Sequence, residues 1–172
     1  MVKIIKATGQ DKGHWRTLRR DGIARYPSDF LLSLAQHDAS PIDADTARLE
    51  KGGRFLVWQR ARPVGLIGIT PHASPSMRHR AEVGPLYVIP ELHGSPTATQ
   101  LLQATVDHAI AKGIWQLELT VNEANTRATA FYKREGFLQY GRLPNAVIGA
   151  SGPENDLMML RTLPQASPSF CP

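Results

Sequence analysis

The sequence predicts a mixed α/β fold in a single domain, and three observations carry that prediction. Short apolar or alternating runs such as 54-RFLVWQR-60 and 114-IWQLELTV-121 recur along the chain and mark strands. Between them lie segments with a helical repeat closed by glycine, at Gly113 and Gly136. The chain has 172 residues, 42% of them hydrophobic and 20% charged, enough for one full core and too few for two comfortable ones.

Taken in order, residues 2–7 read as a first strand, and Asp11 caps a helix running to Arg25. The segment 27-PSDFLLSLAQ-36 reads as a second helix, opened by Pro27 and Ser28, with Phe30, Leu31 and Leu34 on one face. A further helical turn is expected at 44–50. Strands follow at 54–60 and 63–70, joined by Ala61 and Arg62 in a hairpin. The next strand, 80–89, contains Gly84-Pro85, which suggests a bulge or a place where two strands part. A helix from Thr97 to Lys112, a strand at 114–121, a helix at 125–135 and strands at 138–142 and 155–162 complete the order. The domain is expected to span 1–162. The tail 163–172 carries three prolines and reads as disordered.

Composition narrows the function. No apolar run approaches the roughly 18 residues of a membrane span, and the N-terminal stretch does not have the pattern of a secretory signal, so a cytoplasmic protein is expected. The lone Cys171 permits no intramolecular disulfide. The six histidines never fall at i, i+4 on one predicted helix, and no metal site is expected. Net charge is +5, densest at 14-HWRTLRRDGIAR-25, where Arg16, Arg19 and Arg20 share a helix face. That stripe reads as a solvated face rather than a nucleic-acid site, because the charge elsewhere is dispersed and no aromatics interleave with it.

In a sheet of this kind ligands sit beyond the carboxyl ends of strands, which points to residues 88–99 and 121–125. The loop 90-PELHGSPTATQLL-102 has the look of a phosphate-holding turn into a helix, yet it contains Pro96. With Ser95 at the N-cap and Pro96 at the first helical position, the proline removes an N–H that the helix itself leaves unused. The amides of Thr97, Ala98 and Thr99, with those of Gly94 and Ser95, then remain as donors to an anion.

Two segments resemble the GCN5-related N-acetyltransferases, the GNAT superfamily. The stretch 86-LYVIPELHGSPTATQLL-102 is similar to that family's strand ending in V-x-P, followed by Q/R-x-x-G-x-G/A and a helix. The stretch 117-LELTVNEANTRATAFYKREGF-137 is similar to its L-x-V-x-x-x-N-x-x-A-x-x-x-Y-x-x-x-G-F, with Asn125, Ala128, Tyr132, Gly136 and Phe137 in step. The first segment departs from the pattern with His93 at the Q/R position and Pro96 at the first glycine. Weaker similarity extends over residues 2–162.

The resemblance implies a central mixed, mostly antiparallel sheet of about six or seven strands, splayed in the middle and flanked by about four helices. It implies an acetyl-CoA-dependent N-acetyltransferase acting directly on a primary amine, a small molecule or a peptide. The alternative is a catalytically weak or inactive acyl-CoA-binding module whose phosphate loop is altered by Pro96. Neither a nucleic acid nor a membrane is implied as partner, and a homodimer is left open. By resemblance the donor's arm pairs with Leu86, Tyr87 and Val88. Its phosphates meet His93, Gly94, Ser95, Thr97, Ala98 and Thr99. Asn125 either bonds the arm or caps its helix, and Tyr132 protonates the leaving thiolate, contacting the donor as it does so. Glu82 is the expected base, with Glu118 and His79 in reserve.

Overall fold

The computed structural model describes residues 2–164, so most of the predicted tail, with Cys171, lies outside the described residues. Seven strands form one sheet in the order β1-β2-β3-β4-β5-β7-β6. They are β1 (Val2–Lys6), β2 (Arg54–Gln59), β3 (Arg62–Pro71), β4 (Arg80–Val88), β5 (Gln116–Asn122), β6 (Leu138–Gly149) and β7 (Gly152–Thr162). Helices α1 (Lys12–Arg25), α2 (Leu34–Ala39), α3 (Ile42–Glu50), α4 (Thr97–Ala111) and α5 (Thr126–Arg134) cover it. The mixed, mostly antiparallel sheet expected from the sequence is therefore present. Its one parallel pair is β4 with β5.

Two apolar layers flank the sheet. Leu101, Leu102, Val106 and Ala109 of α4 pack on Ile67, Ile69 and Leu117 on one side. Trp15 and Leu18 of α1 pack on Leu56, Leu66 and Tyr87 on the other. Strand β3 is buried on both faces from Val64 to Ile69, which is why it reads as a continuous apolar run. Gly22 lets α1 approach closely: a Cβ there would stand 2.7 Å from the Phe30 ring and 3.2 Å from Tyr87.

Three sequence expectations are corrected. The helix expected at 27–36 is instead a 3₁₀ turn, Pro27–Asp29, followed by α2 from Leu34. Ser33 is the reason: its Oγ accepts from the Gln36 amide while the Gln36 side chain accepts from the Ser33 amide, a reciprocal cap that starts the helix there. Phe30 and Leu31 are thus outside it, and Leu31 is exposed. The β2–β3 turn residues are Arg60 and Ala61, one earlier than read. Strands β6 and β7 extend to Gly149 and from Gly152, making one long hairpin where short strands and a loop were expected.

The middle of the sheet opens. Strands β4 and β5 pair at only three positions, Arg80 with Gln116, Ala81 with Leu117 and Glu82 with Glu118, and then part. On its other edge β4 bulges, with Gly84 and Pro85 lying between the pairs Val83–Ile69 and Leu86–Ile67, so two residues oppose Gly68. The Gly84-Pro85 irregularity read from the sequence marks both features.

Candidate active site

A cavity of about 690 Å³ fills the gap between the parted strands. Its walls come from β4, β5, the N-termini of α4 and α5, and the loop after α1. Of the residues singled out in the sequence, Glu82, Leu86, Tyr87, Val88, His93, Gly94, Ser95, Ala98, Thr99, Asn125 and Tyr132 all line it. Thr97 does not; its side chain is buried beneath the loop.

Which β4 amides face the cavity follows from the ladder. Antiparallel pairing turns the N–H and C=O of successive residues to opposite edges. The Ile89 amide donates to Val64 O on the β3 side, so Leu86 and Val88 present theirs to the cavity. Tyr87 turns its backbone to β3 and its side chain to α1, where its hydroxyl donates to Asp21. The expectation that Tyr87 offers backbone pairing in the cavity is corrected accordingly.

The turn into α4 also differs in detail from the reading. Pro96 is the N-cap rather than the first helical residue, since its carbonyl accepts the first helical bond, from Gln100 N. The Ser95 amide donates to Leu92 O, so it is not a spare donor. Its hydroxyl sits 2.7 Å from Leu92 O and 2.9 Å from Thr97 Oγ1, and the Thr97 amide leans on it at 3.4 Å. Among the described residues, no acceptor takes the amides of Gly94, Ala98 and Thr99. They form an anion-ready terminus of three donors where five were counted from the sequence.

Asn125 does one of the two things expected of it and one that was not. Its Oδ1 accepts from Ala128 N at 3.0 Å, capping α5. Its Nδ2 donates to Asp29 Oδ2 at 2.8 Å, tying α5 to the loop after α1. His93 is held in place of a free side chain: Nε2 donates to Val88 O at 3.0 Å, which leaves Nδ1 to accept from Arg127 Nη1 at 2.5 Å. Arg127 in turn lies over the Tyr26 ring, 5.3 Å from its centroid.

Tyr132 is buried among Phe131 and Phe137 and borders the cavity. Burial raises its pKa well above the ordinary phenol value, and the Asp29 carboxylate adds to the rise. Glu82 is exposed at the point where β4 and β5 part, and its side chain makes no hydrogen bond or ion pair among the described residues. The reserve bases fare worse. Glu118 is gripped by Arg80, with Nη2 to Oε2 at 2.8 Å, and that guanidinium, with Gln116, holds its carboxyl down at about 2. A carboxylate so stabilised is a weak base. His79 stacks on Trp115 with centroids 4.4 Å apart and does not line the cavity.

The arginine stripe of α1 is not simply a solvated face. Arg16 bonds Asp45 at 2.9 Å and the carbonyls of His37 and Ser40 at 2.8 and 2.7 Å, stitching α1 to the chain around α2 and α3. Arg20 forks onto Asp38. Arg19 turns to the cavity instead. Sequence reasoning also missed Asp29, Arg127 and Asp156 as cavity residues. Burial and the neighbouring Glu154 raise the Asp156 carboxyl. Nothing local distinguished these residues from ordinary surface charges. Among the described residues no cluster of three metal-ligating side chains occurs, and no helix is long and apolar enough to cross a membrane.

Comparison with known proteins identifies the family and the fold. The profile of the acetyltransferase (GNAT) family matches residues 16–137. The chain is 27% identical over 138 residues to the mycothiol acetyltransferase of Thermobispora bispora, covering 77% of this chain and 44% of that one. It spans about half the length of the curated relatives it matches. Among solved structures, a GNAT-family acetyltransferase from Streptococcus pneumoniae superposes with a TM-score of 0.84 at 17% identity, over 95% of this chain and 100% of that one. For yncA of Salmonella typhimurium, solved with its cofactor acetyl-CoA, the TM-score is 0.83 at 15% identity, over 99% of both chains.

Proposed function

Because the chain belongs to the acetyltransferase (GNAT) family, we propose that it is an N-acetyltransferase moving an acetyl group from acetyl-CoA directly to a primary amine. The observation that carries this reading is the parting of β4 and β5 after Glu82, which leaves the Leu86 and Val88 amides facing a cavity bordered by Tyr132.

The residues present fit the donor. The open edge of β4 accommodates an extended amide-bearing chain as an added strand, through Leu86 and Val88. The free amides of Gly94, Ala98 and Thr99 and the α4 dipole suit a pyrophosphate. The cradle is leaner than the family pattern, since Pro96 has no N–H and Ser95 has used its own. When bound, acetyl-CoA supplies an activated acyl carbon and a thiol leaving group.

Around that carbon the chain handles protons. Tyr132 stays protonated across the working pH range because its pKa is raised, so its hydroxyl carries a proton to give to the departing sulfur. Glu82, unpaired and at the mouth of the gap, takes the proton that the amine must lose. An N–H on the β4 edge is placed to polarise a carbonyl laid along it.

Thermal shift with acetyl-CoA, followed by free-thiol release across a panel of amines, tests the proposal. Stabilisation together with thiol release is expected. Stabilisation with no thiol release for any amine would instead favour a binding module, a reading supported by the thinned phosphate cradle. No stabilisation at millimolar acetyl-CoA would overturn both.

A further inference from the structure

Arg19 is a guanidinium in search of an anion. It lines the cavity, yet among the described residues it makes no hydrogen bond and no ion pair, and its Nε is buried without a partner. Its neighbour Arg54 also has a buried, unpartnered Nε. The remaining nitrogens of Arg54 reach only neutral oxygens: Ile69 O, Gly53 O at 3.2 Å, Gly52 O at 3.4 Å and Thr70 Oγ1 at 2.9 Å. Asp45 is the carboxylate that faces this group, and it is already shared, by Arg16 at 2.9 Å and Arg48 at 2.5 Å. Three guanidinium groups, those of Arg16, Arg19 and Arg48, thus gather around one carboxylate, and Arg54 adds a fourth positive charge beside Arg19 and Arg48. Burial, with the like charge of Arg48 second, lowers the pKa of both Arg19 and Arg54, the mark of cations short of counter-charge. Sequestered charge without a partner is costly, so an anion brought here supplies a counter-charge that the chain itself does not.

The position is specific. Arg54 lies over Gly68, where a Cβ would stand 3.0 Å from its Cδ, and Gly68 faces the Gly84-Pro85 bulge that lines the cavity. Thr70, bonded by Arg54, is the cross-strand partner of Glu82. The cluster therefore stands at the Glu82 end of β4, while the free α4 amides stand beyond Val88 at the other end. A phosphate at those amides does not also neutralise Arg19. The same cavity carries carboxylates at Glu82, Asp29 and Asp156, so its acceptor end offers both signs of charge.

We propose that the acceptor is an amine that also carries an anionic group, a carboxylate, phosphonate or phosphate, seated against Arg19 with its amine toward Glu82. This rests on the acetyltransferase reading above and adds to it a substrate class. Arg19 acts as a specificity-determining residue, and Arg54 and Arg48 raise the local positive potential behind it.

The test uses matched amines with the full chain and saturating acetyl-CoA: phenylalanine against phenethylamine, 2-aminoethylphosphonate against ethylamine, and spermidine as a cation without an anion. The anionic member of each pair should be preferred in kcat/KM by about 10- to 100-fold, the worth of a charge-assisted hydrogen bond. Arg19→Gln should erase that preference, chiefly through KM, and Arg19→Lys should restore part of it. Equal rates within each pair, a preference for spermidine, or a preference that survives Arg19→Gln would overturn the assignment. Melting shifts of the free protein with 2-aminoethylphosphonate and with ethylamine read the same discrimination without turnover. If the phosphonate stabilises no better than ethylamine, the proposal fails even where acetyl transfer succeeds. If acetyl-CoA neither stabilises the protein nor releases thiol while the phosphonate still binds through Arg19, the acetyltransferase reading fails alone.

Discussion

Asn125 and Asp29, 96 residues apart in the chain, are joined by a 2.8 Å hydrogen bond that closes one side of the cavity. The same Asn125 side chain caps α5, so one residue sets both the start of the helix bearing Tyr132 and the position of the loop after α1.

Asn125→Ala should therefore lose the cap and the tie together. The cap alone is worth about 1 kcal/mol, or roughly 2–4 °C of melting temperature in a chain of this size. Asn125→Asp separates the two roles. Aspartate caps as well as asparagine does, but it opposes Asp29 with a like charge. Its melting temperature should stay near wild type, while hydrogen exchange in residues 27–33 should quicken. Exchange there at the wild-type rate would show that the tie does not hold the loop.

Tyr132→Phe should lower kcat by about 10²–10⁴-fold with little change in acetyl-CoA affinity, as expected for removal of an acid used in the transition state. Phenylalanine keeps the ring packing against Phe131 and Phe137, so the variant should fold normally. Steady-state kinetics beside a donor titration separate the two parameters. Unchanged turnover would remove Tyr132 as the acid.

Glu82→Gln should slow transfer most at low pH, where unprotonated amine is scarcest and a base matters most. The exposed position makes the change nearly silent for stability. A pH–rate profile superimposable on wild type would return Glu82 to the role of a surface carboxylate.

Much of this site could be read from the sequence where the signal was local. The Asn125 cap, the helix it starts and Tyr132 two turns on all follow from neighbouring residues in one register, as does the Gly84-Pro85 bulge. The α2 helix was misplaced because apolar Phe30 and Leu31 imitate a helix face, and the Ser33–Gln36 cap outweighs them. The length of the β6–β7 hairpin was hidden because β6 is largely exposed, so polar residues such as Gln139, Arg142 and Asn145 show no inward alternation. Asp29, Arg127 and Arg19 escaped for a different reason: what makes them notable is a partner, or a missing one, that folding brings near from distant sequence.

Glu118 makes the acid stability of the fold predictable. Its folded-state pKa, about 2, lies below the ordinary carboxylate value because Arg80 favours the charged form. The stabilisation is thus complete above the unfolded-state value and is lost as pH falls through the folded one, between about pH 5 and 2. Glu118→Gln should remove that component at neutral pH and flatten the fall in melting temperature on acidification. A parallel, undiminished fall would place the acid sensitivity elsewhere.

The three pairings that hold β4 to β5 also bear on how the chain is assembled during synthesis. Every strand contact within β1 to β4 is complete once residue 88 has emerged, whereas β5 to β7 pair among themselves through residues 116–162. Chains fold from the N-terminus as they are made, so the first four strands can be aligned before any partner for the far side of β4 exists. The sheet is in this sense two antiparallel modules, with α4 packed on the first, β1 to β4, and a short parallel seam between them. Amide exchange in the native state should accordingly divide into two cooperative blocks with their boundary at Glu82 and Glu118.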